Sequence, residues 1–95
     1  METFVGDTIN LKLRTYTDVS IYSINRIKYV KPNGDSGYWN AGADPSDNTI
    51  MQYTTKTTDL DVRGAWAVQA YIEESGSRFH GLWAKFPVFS PLPIR

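Results

Sequence analysis

The stretch D-L-D-V-R-G-A-W-A-V-Q-A-Y at residues 59–71 decides how the rest of the sequence is interpreted. It opens with two aspartates around a leucine. Asp59 and Asp61 are either a pair of catalytic carboxylates or polar residues of a bend that leads into a β-strand. In an extended segment, residues two apart share a face only within the local stretch. The sequence shows no group opposite Asp59 and Asp61 that would make one of them an acid and the other a base. The bend is therefore the better interpretation.

As a bend, the stretch gives every residue type a structural role. Leu60 fills the core, and Asp61 accepts hydrogen bonds from amides of the turn. Gly64 permits the change of chain direction, and Trp66 begins the next strand. In an immunoglobulin-like sandwich a connection of this kind crosses from one sheet to the other. The stretch predicts a structural corner formed by these four residues and no catalytic residue.

Length and composition limit the classes of protein to which the chain can belong. Its 95 residues suffice for one domain, and 41% hydrophobic with 14% aromatic residues provide a core. The absence of cysteine excludes disulfides and thiolate sites. Ten basic and ten acidic residues give no net charge, which disfavours nucleic-acid partners. No signal peptide or membrane-spanning run is recognisable, so we expect a soluble protein with no membrane partner that is made in the cytoplasm.

Alternating apolar and polar residues, with many β-branched and aromatic side chains, predict strands. These span residues 8–14, 24–31, 38–41, 49–55, 65–73 and 79–88. K-P-N-G at residues 31–34 predicts a turn, and G-A-D-P-S-D-N at residues 42–48 predicts a polar loop. The predicted fold class is all-β, an immunoglobulin-like antiparallel β-sandwich of about seven short strands over residues 1–89. A proline-rich arm at residues 90–95 follows, because proline cannot donate to a sheet ladder.

The last two predicted strands form a hairpin whose alternation assigns each side chain to a face. The inward rows are predicted to be Trp66, Val68, Ala70 and Ile72 on the first strand and Leu82, Ala84, Phe86 and Val88 on the second. The outward row then contains Phe79, Gly81, Trp83 and Lys85, beside Tyr71 of the first strand.

Exposed aromatic clusters are typical anchors of protein–protein contacts. The predicted partner-binding residues are Tyr71, Phe79, Trp83, Tyr38 and Trp39. The alternative is that this face packs against an edge strand or the proline-rich tail. Carbohydrate is the alternative ligand, because sugars also stack on aromatic rings.

The sequence contains no constellation typical of catalysis or of metal binding. His80 is the one histidine and has no serine context such as G-x-S-x-G. D-P-S-D-N at residues 44–48 lacks the spacing of a calcium loop and is predicted to be a polar turn. No phosphate-binding glycine motif occurs. We therefore predict no enzymatic activity, no metal and no cofactor.

The order of the motifs resembles that of a known family. Y-V-K-P-N-G-D-S-G-Y-W-N-A is followed by N-T-I-M-Q-Y-T-T-K-T-T-D-L-D-V-R-G-A-W-A-V-Q-A-Y and a hairpin that ends in glycine, over residues 28–81. This order is similar to that of small immunoglobulin-like virion structural proteins of tailed bacteriophages. The resemblance implies a tail or baseplate module, a neck element or a capsid-decoration protein, and it carries over no catalytic residue.

The expected function is therefore that of a virion structural protein made in a bacterial host. It would bind other virion proteins, or further copies of itself, in a multi-copy assembly. The alternative function is a carbohydrate- or receptor-binding module that uses its surface aromatic residues.

Overall fold

The computed structural model describes residues 3–90, except for the side chain of Leu82. The inward position predicted for Leu82 and, apart from Ser90, the arm predicted at residues 90–95 lie outside the described residues. Within the described residues, eight β-strands form two packed sheets, and one short 3₁₀ helix spans Val19–Ile21. The strands are β1 Thr3–Phe4, β2 Asn10–Arg14, β3 Ile24–Val30, β4 Ser36–Asn40, β5 Gly42–Asp44, β6 Asp47–Thr54, β7 Gly64–Glu74 and β8 Ser77–Phe89.

The strand order is that of an immunoglobulin-like sandwich. The larger sheet has the order β1-β8-β7-β3-β4, and the smaller sheet has the order β2-β6-β5. In immunoglobulin nomenclature, β2, β6 and β5 occupy the places of strands B, E and D, while β8, β7, β3 and β4 occupy those of G, F, C and C′. The pairings are antiparallel except that β1 runs parallel to β8. The all-β sandwich predicted from the sequence is confirmed.

One predicted loop is a strand pair. Residues 42–48, predicted to be irregular because of their aspartates and proline, contain β5 and the start of β6. The turn between them is closed by Asp44 Oδ1, which accepts hydrogen bonds from Ser46 N and Ser46 Oγ at 2.9 Å each. The polar residues therefore form only the tight connection of a β-hairpin.

A column of stacked aromatic rings occupies the core between the sheets. Ring centroids are 5.1 Å apart for Tyr53 and Trp39, 6.2 Å for Trp39 and Trp66, and 6.4 Å for Trp66 and Phe86. The prediction that Trp39 lies on a binding surface is wrong. Trp39 is opposite Ile27 in the β3–β4 ladder, and both side chains face inward and are buried.

The connection between β6 and β7 crosses from the smaller sheet to the larger one. Leu60 is fully buried there, and Gly64 has φ +126°, a conformation that L side chains rarely adopt. Trp66 is the third residue of β7 and donates its Nε1 hydrogen to the carbonyl oxygen of Val62 at 2.7 Å. An immunoglobulin domain often places a tyrosine at the same corner, with its hydroxyl bonded to upstream backbone. Trp66 performs that task with an indole.

The K-P-N-G turn packs directly against this corner. Lys31 Nζ is 3.0 Å from Asp61 Oδ1, and Pro32 lies over Gly64. Asp61 thus pairs with a lysine and does not bond the amides of its own turn, which corrects the predicted role. Asp59 performs that task, because its Oδ2 accepts a hydrogen bond from Lys56 N at 2.7 Å.

A methyl group at residue 64 tests the corner. Its position would be 2.7 Å from both Cβ and Cγ of Pro32, and the positive φ adds backbone strain. We expect Gly64→Ala to lower the free energy of unfolding by about 1–3 kcal/mol. Gly42→Ala is the matched control, because residue 42 has open space around its Cα and no positive φ. Urea unfolding curves that shift equally for the two variants would show that the corner imposes no such constraint.

Candidate functional site

The larger sheet turns one surface away from the smaller sheet, and this surface is here called the outer face. Its middle consists of three rows of side chains that run across β4, β3, β7 and β8. Because paired residues of neighbouring strands share a face, the ladder register defines each row. The rows are Ser36, Val30, Ala67 and Lys85; Tyr38, Lys28, Gln69 and Trp83; and Asn40, Arg26, Tyr71 and His80.

Two aromatic rings of the central row are open to solvent. Tyr38 is 51% exposed and Trp83 is 60% exposed. They stand on β4 and β8, three strand spacings apart, which is about 14 Å at the backbone. Between them lies a shallow trough of about 670 Å³, with Ala67 and Gln69 among its lining residues. Tyr38 and Trp83 are the two predicted partner-binding residues that the structure leaves exposed on this face.

The outer face is also positively charged. Its three rows contain Arg26, Lys28 and Lys85, and none of these twelve described residues is a carboxylate. The cations lie over rings instead: Arg26 is 4.2 Å from the centroid of Tyr38, and Lys85 is 5.4 Å from that of Trp83. The overall neutrality of the chain therefore conceals a separation of charges.

Sequence reasoning had a signal for these cations but did not use it. In I-N-R-I-K-Y at residues 24–29, Arg26 and Lys28 occupy alternate positions, so both belong to one face of β3. On β8, Lys85 lies two residues from Trp83, so these two side chains also belong to one face. Only the sheet order shows that β3 and β8 are separated by a single strand, and therefore that the three charges share one surface.

Tyr71 was predicted to be an exposed anchor, and that prediction is wrong. It belongs to the outer face but is only 7% exposed. Lys28 Nζ lies 4.9 Å from its ring centroid, and the ring of His80 lies 5.1 Å away. The Tyr71 hydroxyl donates a hydrogen bond to Glu73 Oε1 at 2.5 Å, and this hydrogen bond raises the pKa of the phenol. The Tyr71 ring is therefore covered by neighbouring side chains of the outer face and is not available as an exposed anchor.

The prediction that Phe79 faces outward is wrong, because β8 contains a bulge. Gln69 pairs with Trp83 and Tyr71 pairs with His80, so Ala70 has two residues of β8 opposite it. This extra residue reverses the alternation, and Phe79 pairs with Ile72 on the inner side of the sheet. Phe79 is still half exposed and meets the edge of the Tyr22 ring. Gln69 Nε2 fixes the bulge by donating a hydrogen bond to the carbonyl oxygen of Gly81 at 2.9 Å.

The smaller sheet leaves β8 uncovered over part of its length. Ala84 pairs with Val68 and so faces the inner side, as predicted, yet it is exposed to solvent. Phe86 is partly buried, and Val88 is buried. The middle of β8 is therefore accessible on both of its faces.

The two aspartates that suggested a catalytic dyad have separate structural partners. Asp59 Oδ2 accepts hydrogen bonds from the Tyr53 hydroxyl at 2.6 Å and from Lys56 N. Asp61 is paired with Lys31. Because each carboxylate is engaged by a different element of the corner, the geometry does not provide a paired acid and base.

Other candidate centres are explained by local contacts. His80 Nε2 lies 3.2 Å from Lys28 Nζ, so its nearest polar partner is a cation and not a nucleophile. Asp44 pairs with Lys12 at 2.8 Å, and the hydrogen bond from Lys12, followed by those from Ser46, lowers the pKa of Asp44 to about 2. No cluster of three or more metal-ligating side chains occurs within residues 3–90. Over the same residues, no helix has the length and apolar character needed to cross a bilayer.

Tyr53 provides a titration test of the corner. Burial, followed by the hydrogen bond to Asp59, raises the pKa of Tyr53 to about 12 from 10.0. Stability from the protonated hydroxyl is therefore complete below pH 10 and is lost as the pH rises toward 12. In absorbance titrations of phenolate, we expect Tyr53→Phe to remove the highest-pH transition. The control Tyr16→Phe, at a residue 78% exposed, should retain it. Loss of the transition in the control alone would contradict this assignment.

Comparison with known proteins leaves the residues themselves as the basis for interpretation. No protein-family model matches the chain, and a search of curated proteins gives no match. The motif resemblance therefore depends on the K-P-N-G turn, the D-L-D-x-x-G corner and the W-x-x-Q-A-Y strand. In the structure the turn contacts the corner through Lys31 and Pro32, and the corner leads directly into the strand.

Proposed function

We propose that the chain is a non-enzymatic structural module of a tailed-bacteriophage particle. It is made in the bacterial cytoplasm and assembles into the virion, where multiple copies bind neighbouring virion proteins through the outer face. The order of motifs over residues 28–81 supports the assignment to this class. The resemblance implies three candidate locations in the particle, which are the tail or baseplate, the neck, and the capsid surface as a decoration protein.

The observation that carries the binding role is the central row of the outer face. It presents Tyr38 and Trp83 to solvent, with cations beside both rings. Tyrosine, tryptophan and arginine are the residues most enriched among interface hot spots. A broad, shallow sheet surface that bears such residues at its two margins suits a protein contact better than a small substrate.

A second candidate is carbohydrate binding, and one observation favours it. Exposed rings border a trough, and aromatic rings stack on the apolar faces of sugars. Gln69, one of the polar residues that line the trough, is already engaged, however, because its Nε2 donates a hydrogen bond to Gly81 O. The rings are also flanked by cations, which neutral sugars do not require. These features favour the protein partner.

Replacement of the two exposed rings tests the proposed function. We expect Trp83→Ala and Tyr38→Ala to retain the fold, because both side chains are at least half exposed. Each should weaken binding to neighbouring virion proteins by up to about 2 kcal/mol, roughly 30-fold. Ile21→Ala is the matched control, because Ile21 is 67% exposed but belongs to the 3₁₀ helix. Circular dichroism checks the fold, and sedimentation of assembled particles measures incorporation.

Three results would contradict the proposal or a part of it. If Trp83→Ala unfolds the domain, the ring has a structural role and the outer face is not a free surface. If both ring variants assemble as well as Ile21→Ala, the binding surface lies elsewhere. If a glycan array shows sugar binding that both variants lose, while particle incorporation is unchanged, the carbohydrate alternative replaces the protein partner.

A further inference from the structure

Within residues 3–90, one edge of strand β8 is unpaired over most of its length. The strand pairs with β7 on one side, but on the other side β1 covers only Val88 and Phe89. No other strand of the described chain pairs with this second side. Unpaired strand edges present backbone N–H and C=O groups that can hydrogen-bond to another chain.

The direction of these backbone groups follows from one hydrogen bond. Val5 N donates to the carbonyl oxygen of Phe89 at 2.8 Å, so the backbone groups of Phe89 point toward the β1 side. Backbone groups alternate along a strand, and therefore those of Pro87, Lys85 and Trp83 point to the same side. Pro87, which has no N–H, sits where none is needed for the β7 ladder.

The bulge at Gly81 sets the far end of this regular edge. Between the bulge and β1, the free groups are the N–H and C=O of Trp83 and Lys85 and the C=O of Pro87. Five residues, Trp83 to Pro87, match the usual length of a short strand. A partner segment of similar length would find both donors and acceptors along this edge.

Charge determines which partner fits. Lys85 lies on the edge strand, and Lys28 and Arg26 lie on the same outer face. The three rows of this face contain no carboxylate. The two ion pairs within residues 3–90, Lys12–Asp44 and Lys31–Asp61, involve none of these cations. Two copies joined edge to edge would bring their lysines together, which opposes self-pairing. An acidic segment is complementary.

We propose that the Trp83–Pro87 edge of β8 binds an extended acidic segment of a partner protein as an added strand. The backbone of the segment hydrogen-bonds to Trp83 and Lys85. A carboxylate of the segment pairs with Lys85, and an apolar side chain packs on the exposed ring of Trp83. The inference deepens the proposed function, because it supplies the binding mode and the chemistry of a protein partner.

The first test uses capped synthetic peptides as probes. One carries glutamate and valine in turn at every second position, with serine between them, so that both side chains lie on the same face of the extended peptide. A second carries lysine in place of glutamate, and a third has the glutamate sequence interrupted by proline. Trp83 is the exposed tryptophan, while Trp39 and Trp66 are buried, so a change in tryptophan emission reports on the edge. We expect only the uninterrupted glutamate peptide to change the emission and to slow hydrogen exchange at the amides of Trp83 and Lys85.

Two variants separate backbone pairing from charge. Lys85→Ala removes the charge, and Lys85→Pro removes the charge together with the outward N–H, a substitution for which Pro87 is the precedent on the same edge. We expect Lys85→Ala to weaken binding of the glutamate peptide by up to about fivefold. Lys85→Pro should weaken it by about a further fivefold to tenfold. Circular dichroism should show that both variants are folded.

Several outcomes would overturn the inference. These are equal binding by the two lysine variants, binding of the proline-interrupted peptide, or concentration-dependent dimers held by β8 in sedimentation. Binding of oligothymidylate that depends on Trp83, without peptide binding, would assign the face to single-stranded nucleic acid. If Trp83→Ala prevents incorporation into particles while Lys85→Pro does not, the edge inference fails and the proposed function stands. If neither variant affects incorporation, both fail.

Discussion

The packing of Trp66 is the constraint on which the rest of the structure depends. Its indole lies in the centre of the aromatic column, fully buried, and its one polar atom is satisfied by Val62 O. This hydrogen bond requires the chain to fold back just before β7, which fixes where the chain crosses between sheets. A buried indole N–H without a partner would be destabilising, so ring and corner form together. The position of β7, and of β3 and β8 beside it, follows from this arrangement.

Two short motifs that are distant in the sequence cooperate at this corner. The K-P-N-G turn lies between β3 and β4, and the D-L-D-x-x-G stretch lies between β6 and β7. Lys31 pairs with Asp61, and Pro32 leaves no space for a side chain at residue 64. Because each motif restricts the other, their joint appearance indicates a contact and not two independent turns. This contact gives Asp61 a structural role at the corner.

Alternation predicted most of the fold because it reports which side of a strand is buried. It located all six strands that it predicted to within a few residues, and it placed Trp66, Val68, Ala70 and Ile72 on the inner face. It did not predict β5, because the aspartate of β5 and the proline that follows it are typical of loops. It also could not predict the burial of Trp39 and Tyr71, since covering side chains come from other strands. The cations of the outer face required the sheet order.

The bulge at Gly81 has a consequence for how this hairpin tolerates change in its length. Gln69 holds the Gly81 carbonyl oxygen, so the side of the sheet on which Trp83 stands is fixed by a contact between β7 and β8. The hairpin tip around Ser75 and Gly76 lies beyond that contact. Insertions or deletions at the tip would therefore alter the strand ends near the tip. They would leave unchanged the register of the residues on the far side of the Gln69–Gly81 hydrogen bond. The Gln69 contact thus makes the strand register at Trp83 independent of the length of the hairpin tip.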